Sequence, residues 1–182
     1  MAIPPQERAE LVALARGAVA AAVRREPPPR PENLSGILAE MHGCFVTLTN
    51  RGNLRGCIGT FAPDRPLGQM IVEMGSAAAR DPRFVMDPIT PTELDELEAE
   101  VSVLSALERT HEPAKLEVGK HGIYIVARGR AGCFLPEVAT DMGWTAEEFL
   151  THCCASKAGL PADAWRDPRT QVFLFTSEKF GD

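Results

Sequence analysis

Arg55 and Cys57 stand two residues apart in the hexapeptide Leu54-Arg55-Gly56-Cys57-Ile58-Gly59, and this pairing is the clearest chemical signal in the chain. The run reads as a β-strand. Successive strand side chains point to opposite faces, so Arg55 and Cys57 are expected on one face and Leu54, Gly56 and Ile58 on the other. Gly56 and Gly59 leave backbone bare on either side of the thiol, where a ligand or another stretch of chain can approach closely. A guanidinium beside a thiol favours the thiolate, which is the reactive form. A nucleophilic cysteine also needs a base, usually a histidine held by a third group. The chain offers His42, His111, His121 and His152. The plainer reading makes Cys57 a small core residue, since free cysteines are among the most buried side chains.

A second candidate is Asp81-Pro82-Arg83, in a loop after a helix. Asp81 and Arg83 either bind a polar ligand or act structurally, Asp81 as a cap and Arg83 as a tie to the sheet; arginine suits planar anion recognition. No metal site is expected: His42-x-Cys44 and His152-Cys153-Cys154 lack the Cys-x2-Cys or His-x3-His spacing of zinc ligands. Glu98 and Glu100 share a strand face and read as a solvated surface rather than an acid/base pair. The chain has no Gly-x-Gly-x-x-Gly fingerprint, no phosphate-binding Gly-Lys-Ser/Thr and no Gly-x-Ser-x-Gly elbow, so no cofactor is expected.

The elements that must position these residues alternate between helix and strand. Pro5 to Val23 carries apolar residues at i, i+3, i+4 spacing and predicts an amphipathic helix. Cys44 to Thr49 and Leu54 to Phe61 predict a hairpin about the turn Asn50-Arg51-Gly52-Asn53. A helix is expected from Pro66, ending before Asp81-Pro82 because the residue before proline avoids the helical region. Thr90-Pro91-Thr92-Glu93 has the form of a helix-start box, with Glu93 reaching back to Thr90. Leu97, Ala99, Val101 and Val103 alternate with polar residues, predicting a strand with one buried face. Short strands are expected at 122–127 and 132–135, a helix from Thr145 to Ala158 stopped by Gly159, and a last strand at 171–176. The many hairpin neighbours favour an α+β fold over a doubly wound parallel sheet.

A chain of 182 residues, 45% hydrophobic and 24% charged, suits one domain or two small lobes. A net charge of -6 argues against broad binding to nucleic acid or an anionic membrane. No run is long enough to span a membrane and no signal peptide is evident. Five cysteines without a regular framework favour free thiols in a reducing cytoplasm.

The chain resembles the AMMECR-one domain family from its first helix almost to its C-terminus. The resemblance rests on Gly43–Leu48, Leu54–Gly59, Ala79–Phe84, Glu100–Leu104, His121-Gly122-Ile123, Leu135–Val138 and Lys157–Pro161 with Trp165 beyond, in that order. It implies a single α+β domain over residues 1–182, with a larger and a smaller lobe of antiparallel or mixed sheets flanked by helices. It also implies a cleft between the lobes, with the hexapeptide close by. His121 lies in one of these motifs and is therefore the preferred base. In many bacteria, related domains are encoded beside or fused to Memo-like and radical-SAM proteins, which suggests partners; this chain itself has no Cys-x3-Cys-x2-Cys run for an iron–sulfur cluster. Two functions follow as expectations. One is an enzyme or enzyme subunit acting on a small molecule, with Cys57 and His121 catalytic and Arg55, Gly56, Gly59, Asp81 and Arg83 binding substrate. The other is a non-catalytic accessory or scaffold protein. Nucleic-acid binding ranks below both on charge.

Overall fold

The computed structural model describes residues 2–182. The apolar stripe of the first segment forms α1 (Pro5–Arg24), which buries Leu11, Ala15, Ala18 and Val19. It opens on Pro5, where the missing amide hydrogen costs nothing, and ends at Arg25 in the left-handed region. The expected hairpin is β1 (Cys44–Asn50) and β2 (Asn53–Thr60). Arg51 and Gly52 both have positive φ in its two-residue turn, the geometry that matches the twist of the flanking strands. Then come α2 (Leu67–Ala78) and β3 (Leu97–Leu104). With β8 (Ser177–Gly181), the strands form a sheet in the order β2-β1-β3-β8. The helices α1 and α2 pack against each other and onto this sheet. The chain up to Leu104, with Glu178–Asp182, makes one unit around this core.

The second unit, Ser105–Ser177, has its own core. Its antiparallel sheet runs β4-β7-β5-β6, from β4 (Glu108–Thr110), β5 (Gly122–Ala127), β6 (Arg130–Phe134) and β7 (Gln171–Phe175). Between β6 and β7 lie α3 (Pro136–Met142) and α4 (Ala146–His152). Thr145 and Glu148 form the expected capping box on α4. The helix expected to run on to Ala158 instead widens to a π-turn over Cys153–Ala158 before Gly159 stops it. There it lies against β6 so closely that a Cβ on Gly132 would sit 2.4 Å from the Ala158 nitrogen. The fold is α+β, as the pattern of elements predicted. The elements α3, β4 and β8 have no counterpart in the sequence reading: each is short and carries too little periodicity to be seen.

One helix-start signal is fulfilled by half. Pro91–Glu96 is a 3-10 helix, and Thr90 makes no capping bond with its side chain. The Glu93 carboxylate still accepts from the Thr90 backbone, and it is held by Arg55 and Asn50 as well. The arginine fork is the stronger hold on this carboxylate, so a tertiary contact is added to the local one.

The core imposes one strict demand at the hexapeptide. A Cβ on Gly56 would lie 2.1 Å from the backbone oxygen of Ala78, where α2 crosses the sheet. Backbone cannot swing aside as a side chain can. Gly56→Ala is expected to lower stability by about 1–3 kcal/mol, or more if α2 must shift, as overpacked cores do. Urea denaturation followed by circular dichroism checks this; an unchanged midpoint would show that α2 moves freely there.

Candidate functional site

Strand β2 is an edge strand, and its pairing with β1 carries a bulge. Thr47 pairs with Cys57 and Leu48 with Gly56, but Thr49 pairs with Leu54, so Arg55 is the extra residue. The bulge corrects the simple alternation. Val46 and Leu48 are fully buried, and Gly56 and Ile58 lie opposite them. Cys57 lies opposite Thr47 on the other face. Leu54, paired with Thr49, joins that face instead of the buried one and is 40% exposed. An inserted residue flips the alternation for everything before it.

Cys57 is half-buried, with its Sγ 3.3 Å from the Thr47 hydroxyl. Its backbone turns outward, away from β1, and the loop after α2 meets it there. Cys57 N–H donates to Asp81 Oδ2 at 3.0 Å, and the Cys57 carbonyl accepts from Arg83 Nη2 at 3.2 Å. Asp81 Oδ1 accepts from the Arg83 amide, capping the 3-10 turn Pro82–Phe84, and Arg83 Nη2 reaches Asp81 Oδ2 at 2.6 Å. The Asp81 side chain is 1% exposed. Its carboxyl is held far below the ordinary range, first by the Arg83 guanidinium and then by the Cys57 and Arg83 amides, against the opposing effect of burial.

Arg55 is engaged elsewhere. Its Nε donates to Glu93 Oε1 at 2.6 Å, and its Nη1 and Nη2 reach Asp87 Oδ2 and the Asp87 carbonyl. The Arg55 bond lowers the Glu93 carboxyl. Two carboxylates therefore face the guanidinium expected to act on the thiol, and Arg83 is the arginine that touches Cys57. Phe84 joins the two systems: the Arg55 and Arg83 guanidinium carbons each lie 5.8 Å from its ring centre. The part that Thr47, Phe84, Asp87 and Glu93 play at this site was not foreseen from the sequence. Thr47 lies in the Gly43–Leu48 motif, Phe84 in the Ala79–Phe84 motif and Glu93 in the helix-start box, while no signal pointed to Asp87.

The two glycines are occupied by the chain itself. Above Gly56 is Ala78; a Cβ on Gly59 would sit 2.3 Å from the Phe45 ring. His121 belongs to the second unit, where its Nδ1 accepts from the Glu117 amide at 3.0 Å. Among the other thiols, Cys44, Cys153 and Cys154 are buried, and burial pushes Cys44 up to about 12 and raises Cys133, Cys153 and Cys154. Among the described residues, no three His, Cys, Asp or Glu side chains are grouped to hold a metal ion, and no helix is long and apolar enough to cross a membrane.

An α+β chain with a thiol on a braced edge strand is the class of protein that fold and site define. The AMMECR1 family model matches residues 12–180, and the chain belongs to that family. It is 44% identical over 179 residues to a protein of Methanothermobacter thermautotrophicus, covering 93% of this chain and 91% of the other. It is 45% identical over 186 residues to protein TK0174 of Thermococcus kodakarensis, covering 93% and 87%. The crystal structure of the uncharacterized protein PH0010 from Pyrococcus horikoshii superposes with a TM-score of 0.86 at 37% identity, covering 97% of this chain and 92% of that one.

The Asp81 carboxylate predicts an acid limb in stability. Its folded value lies below its unfolded value of about 3.9, so its contribution is complete above that pH and is lost as pH falls below it. Glu93, also held down, adds to the same limb. Asp81→Asn should cost about 1–3 kcal/mol at neutral pH, because a buried amide and an arginine lose their charged acceptor. It should also flatten the decline below about pH 4. Chemical denaturation across pH 2–7 checks both; a variant with the parent's pH profile would remove Asp81 as the source.

Proposed function

We propose that this chain is an enzyme, or enzyme subunit, acting on a small molecule, with the Cys57 thiol as its reactive group. The observation that supports this is the bracing of Cys57: a buried carboxylate and an arginine fix its amide and carbonyl, while its side chain is half-exposed with its Sγ beside the Thr47 hydroxyl. Preorganisation of this kind serves a group that must present itself in one geometry. In this reading Cys57 is the nucleophile or acid. Arg83 supplies positive charge beside it, and Asp81 positions both. Arg55, Gly56 and Gly59 shape the strand that carries the thiol.

The accessory-protein reading has its own support. Val85 and Met86, on the loop that braces the strand, are 74% and 93% exposed. Apolar side chains held out in water suit contact with another protein, and a Memo-like or radical-SAM protein is the partner this reading names.

Thiol reactivity separates the two. Iodoacetamide near pH 8, read by mass spectrometry, should label Cys57 ahead of Cys133, with Cys44, Cys153 and Cys154 reacting only on unfolding. Cys57→Ser should keep the thermal transition and lose the fast label. A Cys57 that reacts only with the buried thiols would make it a packing residue and leave the accessory role.

A further inference from the structure

A cavity of about 440 Å3 opens in the first unit beside the C-terminal end of α2. Small-molecule sites fall in the range of about 300–1,000 Å3. Its walls are mainly apolar, with Ala79, Phe84, Val85, Pro88 and Ile89 among them. Three charged residues also line it, and they differ in what they have left to offer. Arg55 is neutralised by Glu93 and Asp87. Asp81 has both carboxylate oxygens bonded, to Arg83 and to the Cys57 amide. Arg80 makes one 3.5 Å hydrogen bond to the Ala22 carbonyl and, among the described residues, no ion pair. That bond lies beyond the usual range for N–H···O, and a guanidinium has five N–H donors. The cavity therefore joins an apolar interior to one exposed guanidinium with donors to spare.

We propose that this cavity binds a small carboxylic acid with an apolar body. The tail lies against Phe84 and Ile89, and the ionised carboxylate takes the Arg80 fork. A neutral apolar molecule would leave the guanidinium unused, and a cation would meet its charge. The fork matches the geometry of a carboxylate. The same chemistry occurs in a free acid and at the C-terminus of a peptide ending in an apolar residue. The proposal does not rest on the reactivity of Cys57, and the Cys57→Ser chain should bind equally well.

Calorimetric titration of the full chain with octanoate, octanol and octylamine tests it. Octanoate should bind about tenfold or more tighter than either analogue, the gain of a charge-assisted bond. Arg80→Gln should bring octanoate down to the level of octanol, and Arg80→Lys should restore part of the difference. Val85→Glu, at an exposed rim position, should weaken octanoate without altering the thermal transition. The peptide Gly-Gly-Gly-Leu-Phe, with free or amidated C-terminus, distinguishes the sources. Binding of the free-acid peptide above octanoate assigns the site to chain termini, and the reverse assigns it to free acids. Octanol binding as well as octanoate, an Arg80→Gln chain that keeps the preference, or no binding of either acid at millimolar concentration would overturn the proposal.

Discussion

The buried Asp81 carboxylate is the contact on which the site depends. Strand β2 ends its sheet, and an edge strand presents unpaired amides and carbonyls that must be covered or kept in water. Asp81 and Arg83 cover β2 at one residue, Cys57, taking its amide hydrogen and giving a hydrogen to its carbonyl. The pair imitates one rung of a further strand with two side chains. Because Asp81 is almost fully buried, its charge has to be matched there, and Arg83 matches it at 2.6 Å. Such a pair contributes little net stability once desolvation is counted, but breaking it leaves a charge stranded. Its effect is positional: the loop after α2 has one place to sit, and Cys57 has one backbone geometry.

The Arg55 system repeats the device one bulge away. The extra residue in β2 directs Arg55 beyond the edge of the sheet, where Glu93 and Asp87 receive it. Phe84 lies within cation–π range of both arginines, so the two ion-pair systems share a wall. The same wall bounds the apolar cavity, whose other lining cation, Arg80, has no ion pair among the described residues.

Much of the scaffold was legible because it rests on local rules. The stripe of α1, the Arg51-Gly52 turn, the alternation of β3, the Thr145 capping box and the Gly159 stop all follow from periodicity and backbone preference over a few residues. The elements that were missed are short, and β8 pairs with a strand more than seventy residues earlier, a partner no local pattern can name. Glu93 shows both levels at one residue. Its spacing from Thr90 fits a capping box, and its carboxylate does accept from the Thr90 backbone, but the fold adds the Arg55 fork, which has the larger effect.

By itself the sequence determined the α+β class, the hairpin, the family, and the attention due to Leu54–Gly59 and Asp81–Arg83. Tertiary structure alone decided which arginine meets the thiol. Strand periodicity put Arg55 beside Cys57, but a one-residue bulge and two carboxylates from a distant segment drew Arg55 away, while Arg83 came to Cys57 across the open strand edge. A bulge depends on how two strands register, and an ion pair depends on which charges the fold brings within about 4 Å; neither quantity is written in the spacing of residues along one strand.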